Sequence, residues 1–238
     1  MKKYFGQGTY GDAYNAGLLV QAMAPEDHVV VYWKTVHKNL YSDIRKIFWL
    51  FRIECRFVDR DIPEIEHLKV APLVLPESYV GIDPNLYFDA KMIINDFIPK
   101  IKPYHVIQAH AGKPGGVNMK YESIDGVNDS CISGMNNVLV GTDRRFYGLV
   151  ATDIINYVGM TSIDEFVRII SCADKFTGPV GFGSFVALSF GIPCILHDFN
   201  PIAFKNRIDN NWWKKYCVKF YSRSYAFPPK QYPSLEDE

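Results

Sequence analysis

The sequence of 238 residues predicts an α/β protein built on parallel sheets and divided into two similar halves. Three observations lead there. Short runs rich in β-branched and aromatic residues alternate with stretches of helical apolar spacing. The alternation is interrupted by a proline-bounded stretch around Pro84 to Pro103 and then resumes. Glycine-rich loops stand where a strand gives way to a helix.

In the first half, strands are expected at Lys3 to Phe5, His28 to Trp33, Cys55 to Val58 and Val70 to Leu75. Between them, Asp12 to Met23 and Leu40 to Phe51 read as helices. In the second of these, Ile44, Ile47, Phe48 and Phe51 recur on one face. A helix at Phe88 to Ile98 is bounded by Pro99 and Pro103 and leads to a strand at Tyr104 to Ala109. The boundary placed there gives domains at 1–100 and 101–238. The second half continues with strands Val138 to Val140 and Ile154 to Tyr157, helix Ile163 to Ala173 and strand Lys175 to Thr177. Helix Gly181 to Phe190 and strand Pro193 to Leu196 follow. Ser162 and Glu165 have the spacing of a capping box. Gly191-Ile192-Pro193 reads as a helix stop followed by a strand start. Ser234 to Glu238 reads as a frayed acidic tail.

Composition narrows the class. An apolar share of 48%, with many Tyr and Phe, rules out a disordered or fibrous chain. The 26 Lys and Arg balance 26 Asp and Glu, so no global field draws the chain to nucleic acid or an anionic membrane. The five cysteines are scattered and lack the paired spacing of zinc or redox sites, which predicts reduced thiols, mostly buried. Neither a signal peptide nor a spanning helix is readable, making the cytoplasm the default compartment.

Four loops carry candidate chemistry. Gly6-Gln7-Gly8-Thr9-Tyr10-Gly11-Asp12 has dinucleotide-fingerprint spacing between a strand and a helix. Asp12, however, places a carboxylate at the helix end a pyrophosphate would need. It reads either as an N-cap or as a catalytic base at a domain cleft. Thr177-Gly178-Pro179-Val180-Gly181-Phe182-Gly183-Ser184 links a short strand to an apolar helix. Its small residues would leave the helix entrance open, so that backbone N–H groups and the hydroxyls of Thr177 and Ser184 could hold phosphate oxygens. The competing reading is a structural glycine turn for tight strand–helix packing. The loop after Tyr104 to Ala109 holds His110, Lys113 and Lys120, and the loop after Val140 holds Arg144 and Arg145. Both sets suit a diphosphate, or else a solvated surface. The final stretch interleaves Lys205, Arg207, Lys214, Lys215, Lys219 and Arg223 with Trp212, Trp213, Tyr216, Phe220 and Tyr221. It reads as an amphipathic helix, with contact to nucleic acid as the alternative.

The order of these pieces resembles bacterial glycosyltransferases of the GT-B architecture, especially the ADP-heptose lipopolysaccharide heptosyltransferases. The resemblance rests on Gly11-Asp12, the loop His110 to Lys120, Gly159 to Glu165, Ala173-Asp174, Thr177-Gly178-Pro179 and Ala187 to Pro193. It implies two facing Rossmann-like domains and a nucleotide-sugar donor held mainly by the second. It also implies inversion at the anomeric carbon without an essential metal or further cofactor. By the same resemblance Asp12 is the base, Lys120, or its rival Lys113, contacts donor phosphate, and Thr177 and Gly178 lie against the donor. The reading of the loops themselves adds Arg144, Pro179, Gly181 and Ser184 as donor-binding residues, and Gly8, Tyr10, Gly11 and His110 as acceptor or donor contacts. The family usually carries an acid before Thr-Gly and a histidine shortly after; here Phe176 and Gly181 stand there. The acceptor is a glycan or a hydroxylated base in DNA. The alternatives are a non-catalytic nucleotide or nucleotide-sugar binding protein and, less favoured, a dehydrogenase.

Overall fold

The structure is a computed structural model that describes residues 1–24, 27–69, 103–108, 130–141, 153–198 and 217–222, the last of these as backbone only. The expected strand at Val70 to Leu75, the helix at Phe88 to Ile98 and the tail at Ser234 to Glu238 lie outside the described residues. So do His110, Lys113, Lys120, Arg144, Arg145 and the basic aromatic stretch up to Tyr216. The chain forms two compact units, one holding the described residues up to Lys69 and the other those from Pro103 onward.

Among the described residues the first unit is a four-stranded parallel sheet in the order β3-β2-β1-β4. Its strands are β1 (Lys2–Gln7), β2 (Val29–Lys34), β3 (Glu54–Phe57) and β4 (Glu66–His67). The short polar strand β4 is not legible as a strand in the sequence; its pairing of Tyr4 with Glu66 and Phe5 with His67 defines it. Helix α1 (Tyr10–Met23) is buried almost all round from Ala13 to Leu18, as expected of a helix apolar on every side. Helix α2 (Tyr41–Leu50), entered through a 3₁₀ turn at Lys38–Leu40, buries the predicted Ile44, Ile47 and Phe48. Trp33 and Phe48 meet edge to face at 5.2 Å, and Tyr14 and Phe51 at 5.1 Å. Fully burying a side chain of this kind stabilises the unit by about 1.5–3 kcal/mol. These rings anchor its core.

Among the described residues the second unit is a six-stranded parallel sheet in the order β10-β9-β8-β5-β6-β7. Its strands are β5 (Tyr104–Gln108), β6 (Asn136–Val140), β7 (Ile155–Asn156), β8 (Lys175–Pro179), β9 (Cys194–Asp198) and β10 (Cys217–Ser222). Every residue of the central strand β5 is buried, as a parallel strand covered on both faces requires. Helix α3 (Ile163–Ser171) begins with the predicted capping box: the Ser162 N–H donates to Glu165 Oε2 at 2.7 Å and the Glu165 N–H to Ser162 Oγ at 3.3 Å. Helix α4 (Phe182–Ser189) ends in a Schellman motif. Gly191 takes φ +69°, its N–H donates to Leu188 O, and the Ile192 N–H donates to Ala187 O. The sequence reading of Gly191 as a helix stop therefore holds.

Two expectations change. Gly178 and Pro179 belong to β8 rather than to the loop beyond it, because Gly178 pairs with Leu196 and Pro179 with His197 of β9. Residues Cys217–Ser222 form an edge strand rather than part of an amphipathic helix, since β9 offers them a parallel partner. None of the four cysteines whose side chains are described is in a disulfide; Cys55 and Cys194 are buried, Cys131 and Cys172 partly so. Burial pushes the Cys55 thiol up to about 12. Among the described residues no helix is long and apolar enough to cross a membrane.

Candidate functional site

In an open parallel sheet, ligands bind beyond the carboxyl ends of the strands at the point where the strand order reverses. In the second unit the chain passes from β5 outward to β6 and β7. It then returns to the other side of β5 for β8, β9 and β10. The switch point therefore lies between β5 and β8. In the first unit β1 is followed by β2 and β3 on one side and by β4 on the other, so the switch point lies between β1 and β4. The Gly8-Thr9 turn into α1, whose first turn holds Asp12, follows β1, and the turn into α4 follows β8. Topology thus sets both sequence-selected glycine loops at switch points.

The β8–α4 turn is more occupied than its glycines suggest. Ser184 is fully buried, and its hydroxyl both accepts from the Gly181 N–H and donates to Gly181 O, each at 2.9 Å. Thr177, only 2% exposed, pairs with a ring nitrogen of His105. The expectation that these two hydroxyls stand open for phosphate oxygens is therefore corrected: both already have partners inside the fold. The entrance is also narrower than predicted. A Cβ on Gly183 would run into the amide oxygen of Gln108 and approach Ile170 Cδ1 to 3.3 Å. A Cβ on Gly178 would lie 3.0 Å from both Gln108 Cβ and Phe176 Cζ. These glycines admit Gln108 across the head of α4, the tight-packing alternative weighed from the sequence. The N-cap residue Gly181 has no side chain to cap the first turn, so an anion would meet its backbone N–H groups beside the Gln108 amide. Phe176 is fully buried core.

Beneath the turn runs a polar chain across three strands. Asn137 Oδ1 accepts the Ile132 N–H at 3.0 Å, while Asn137 Nδ2 donates to Ile132 O and Met135 O, each at 3.3 Å. That arrangement leaves Oδ1 an acceptor, so His105 Nδ1, 3.1 Å away, carries the proton and donates to it. His105 Nε2 is then the acceptor for the Thr177 hydroxyl at 2.7 Å. Burial holds the imidazole well below its ordinary value, at about 4; the Asn137 bond opposes this shift and the Lys175 charge adds to it. Sequence reasoning missed His105, Asn137 and Gln108. The available signal was a polar residue inside an otherwise apolar, doubly covered strand, as in Tyr-His-Val-Ile-Gln.

In the first unit Thr9, in extended conformation, is the N-cap of α1, and Asp12 is the third helical residue. Asp12 is thus not the N-cap itself: its Oδ2 accepts the Thr9 N–H at 2.8 Å from within the first turn. Gly8 has φ +130°, and a Cβ there would strike the Asp12 carboxylate. The Trp33 indole donates to Gly8 O at 3.3 Å, and the Gly8 N–H to Lys34 O at 3.1 Å. Tyr10 donates to Asp43 Oδ2 at 2.7 Å, and burial, then that bond, raises its phenol pKa. A carboxylate already capping the α1 entrance disfavours a pyrophosphate there. Among the described residues no group of three or more His, Cys, Asp or Glu is placed to hold a metal ion.

No family model and no curated protein matches the sequence. Solved structures similar to the chain include the ADP-heptose lipopolysaccharide heptosyltransferase II of E. coli, at 14% identity and TM-score 0.44, covering 83% of this chain and 84% of that one. Another is the E. coli heptosyltransferase WaaC with ADP, at 11% identity and TM-score 0.47, covering 84% and 88%. The S. aureus MnaA structure with UDP is similar at 12% identity and TM-score 0.47, covering 84% and 80%.

Proposed function

We propose that the chain is a glycosyltransferase that moves a sugar from a nucleotide-sugar to an acceptor hydroxyl. The observation that carries this reading is the topological one: of the two motifs behind the sequence resemblance, Gly11-Asp12 lies in the first turn of α1 just after β1 and Thr177-Gly178 lies near the carboxyl end of β8, each at the switch point of a parallel sheet. In this reading residues 101–238 bind the donor and residues 1–100 serve the acceptor side. The donor diphosphate meets the N-terminal turn of α4 at Gly181 to Ser184, with Lys113 or Lys120 and Arg144 neutralising it in place of a metal. Asp12 takes the acceptor proton as the hydroxyl oxygen attacks the anomeric carbon. The bond to the nucleoside diphosphate breaks with its electrons, and the centre inverts. Asp12 Oδ2 already accepts the Thr9 N–H, which orients the carboxylate.

A thermal-shift screen of nucleotide-sugars tests the proposal, because a ligand that binds only the folded chain raises its melting temperature. A concentration-dependent rise with at least one nucleotide-sugar is expected; no response to any nucleotide removes the assignment. The internal use of the Thr177 and Ser184 hydroxyls favours a second reading, a binding protein without turnover. That reading predicts the same thermal shift with no sugar transferred. Of the two acceptor classes, DNA would show binding that weakens steeply with salt, and a neutral glycan would not.

A further inference from the structure

Strand β5 grips the end of β8 on both faces of the sheet. Side chains alternate along a strand, so His105 and Gln108 point to opposite faces. On one face His105 Nε2 accepts the Thr177 hydroxyl at 2.7 Å. On the other, Gln108 packs against Gly178 and Gly183. The residues so held, Thr177 and Gly178 on β8 and Gly183 in the first turn of α4, bracket the turn between the two elements. We propose that His105 is a positioning residue for the donor diphosphate, setting through Thr177 where the β8–α4 turn presents its backbone N–H groups. This inference rests on the glycosyltransferase reading of that turn and deepens it.

The hydrogen-bond chain has one polarity. Asn137 fixes the proton on Nδ1, which leaves Nε2 able only to accept, and Thr177 must donate. A second proton on the ring would turn Nε2 into a donor, so the Thr177 hydroxyl would have to turn round and accept, and its own proton would lose this partner. It would also place a charge in a fully buried position between neutral Asn137 on β6 and neutral Thr177 on β8. The charged group acting on the ring among the described residues is Lys175 of β8, which pairs with His105 in the register and has the same sign. Glutamine can reproduce both bonds, donating through its amide NH₂ and accepting through its oxygen, but it cannot titrate.

The test compares the wild-type chain with His105→Gln, Thr177→Ser and Thr177→Val, measuring calorimetrically the affinities for ADP, UDP, GDP and dTDP, each alone, from pH 7.5 down to pH 3.5, past the value of about 4 at which the folded His105 takes its second proton. Wild type and Thr177→Ser should bind at least one of these and weaken as His105 takes its second proton. His105→Gln should bind within about threefold of wild type at pH 7.5 and show on the acid side only the loss that protonation of the diphosphate itself brings, common to all variants. Thr177→Val should bind about tenfold more weakly at pH 7.5, the order expected for one lost hydrogen bond. If Thr177→Val does not fold, the contrast between the wild-type and His105→Gln pH profiles decides. Equal affinities for Thr177→Val and wild type, or identical pH profiles for His105→Gln and wild type, overturn the positioning role alone. A wild-type chain that binds none of the four overturns it together with the donor-site reading.

Discussion

Replacing Gly183 by alanine separates a packing glycine from an open phosphate entrance. Two effects oppose each other. Alanine in place of glycine favours a helix by up to about 1 kcal/mol, less near its end. Against this, the new Cβ meets the Gln108 amide oxygen, stands 3.1 Å from Gln108 Cδ and stands 3.3 Å from Ile170 Cδ1. Overpacking a filled site costs about 1–3 kcal/mol. Because the nearest obstacle is the end of a flexible side chain, the lower part of that range applies. A net destabilisation of about 1 kcal/mol follows. In a Gln108→Ala background the main obstacle is gone and only the Ile170 contact remains, so the same substitution should be neutral or slightly stabilising. The coupling between the two sites is then about 1–2 kcal/mol. Native-state hydrogen exchange at the β5 and β8 amides reads the second unit separately from the first. If Gly183→Ala changes those exchange free energies equally in both backgrounds, Gln108 does not set the glycine, and the packing account fails.

Three other outcomes follow from the same geometry. Asp12→Asn keeps an acceptor for the Thr9 N–H, so the fold and donor binding should persist while single-turnover sugar transfer falls by at least about a hundredfold. Unchanged turnover removes Asp12 from the chemistry. The His105 imidazole titrates at about 4 in the fold against an ordinary 6.5, so between these values the unfolded chain binds the proton and the folded chain does not. Its contribution is complete above pH 6.5 and is lost as the pH falls toward 4, a change of about 3 kcal/mol that His105→Gln should abolish in urea unfolding at pH 7.5 and pH 4.5. Ser162→Ala should cost α3 about 1 kcal/mol, read by exchange at its amides, whereas Glu165→Gln, which preserves the box, should cost little.

The sequence by itself determined the alternation of elements, the positions of α1 and α2 and the two glycine loops. Apolar periodicity and turn chemistry are local properties, and so are the Ser162 box and the Gly191 stop, each set by residues a few positions apart. Pairing between strands is not local. Only the tertiary structure decided that β5 and β8 are neighbours, and hence where the switch point lies. It also made Glu66–His67 and Cys217–Ser222 strands by giving them partners. Asp12 was legible as a helix-end carboxylate, though its place as third helical residue behind Thr9 was not. Least legible was the filling of the β8–α4 turn. Glycines read in one dimension as an open entrance prove in three to make room for Gln108, and the Thr177 hydroxyl points to a histidine 72 positions earlier in the chain. Spacing along the chain shows where backbone N–H groups begin a helix, and only packing shows what already stands beside them.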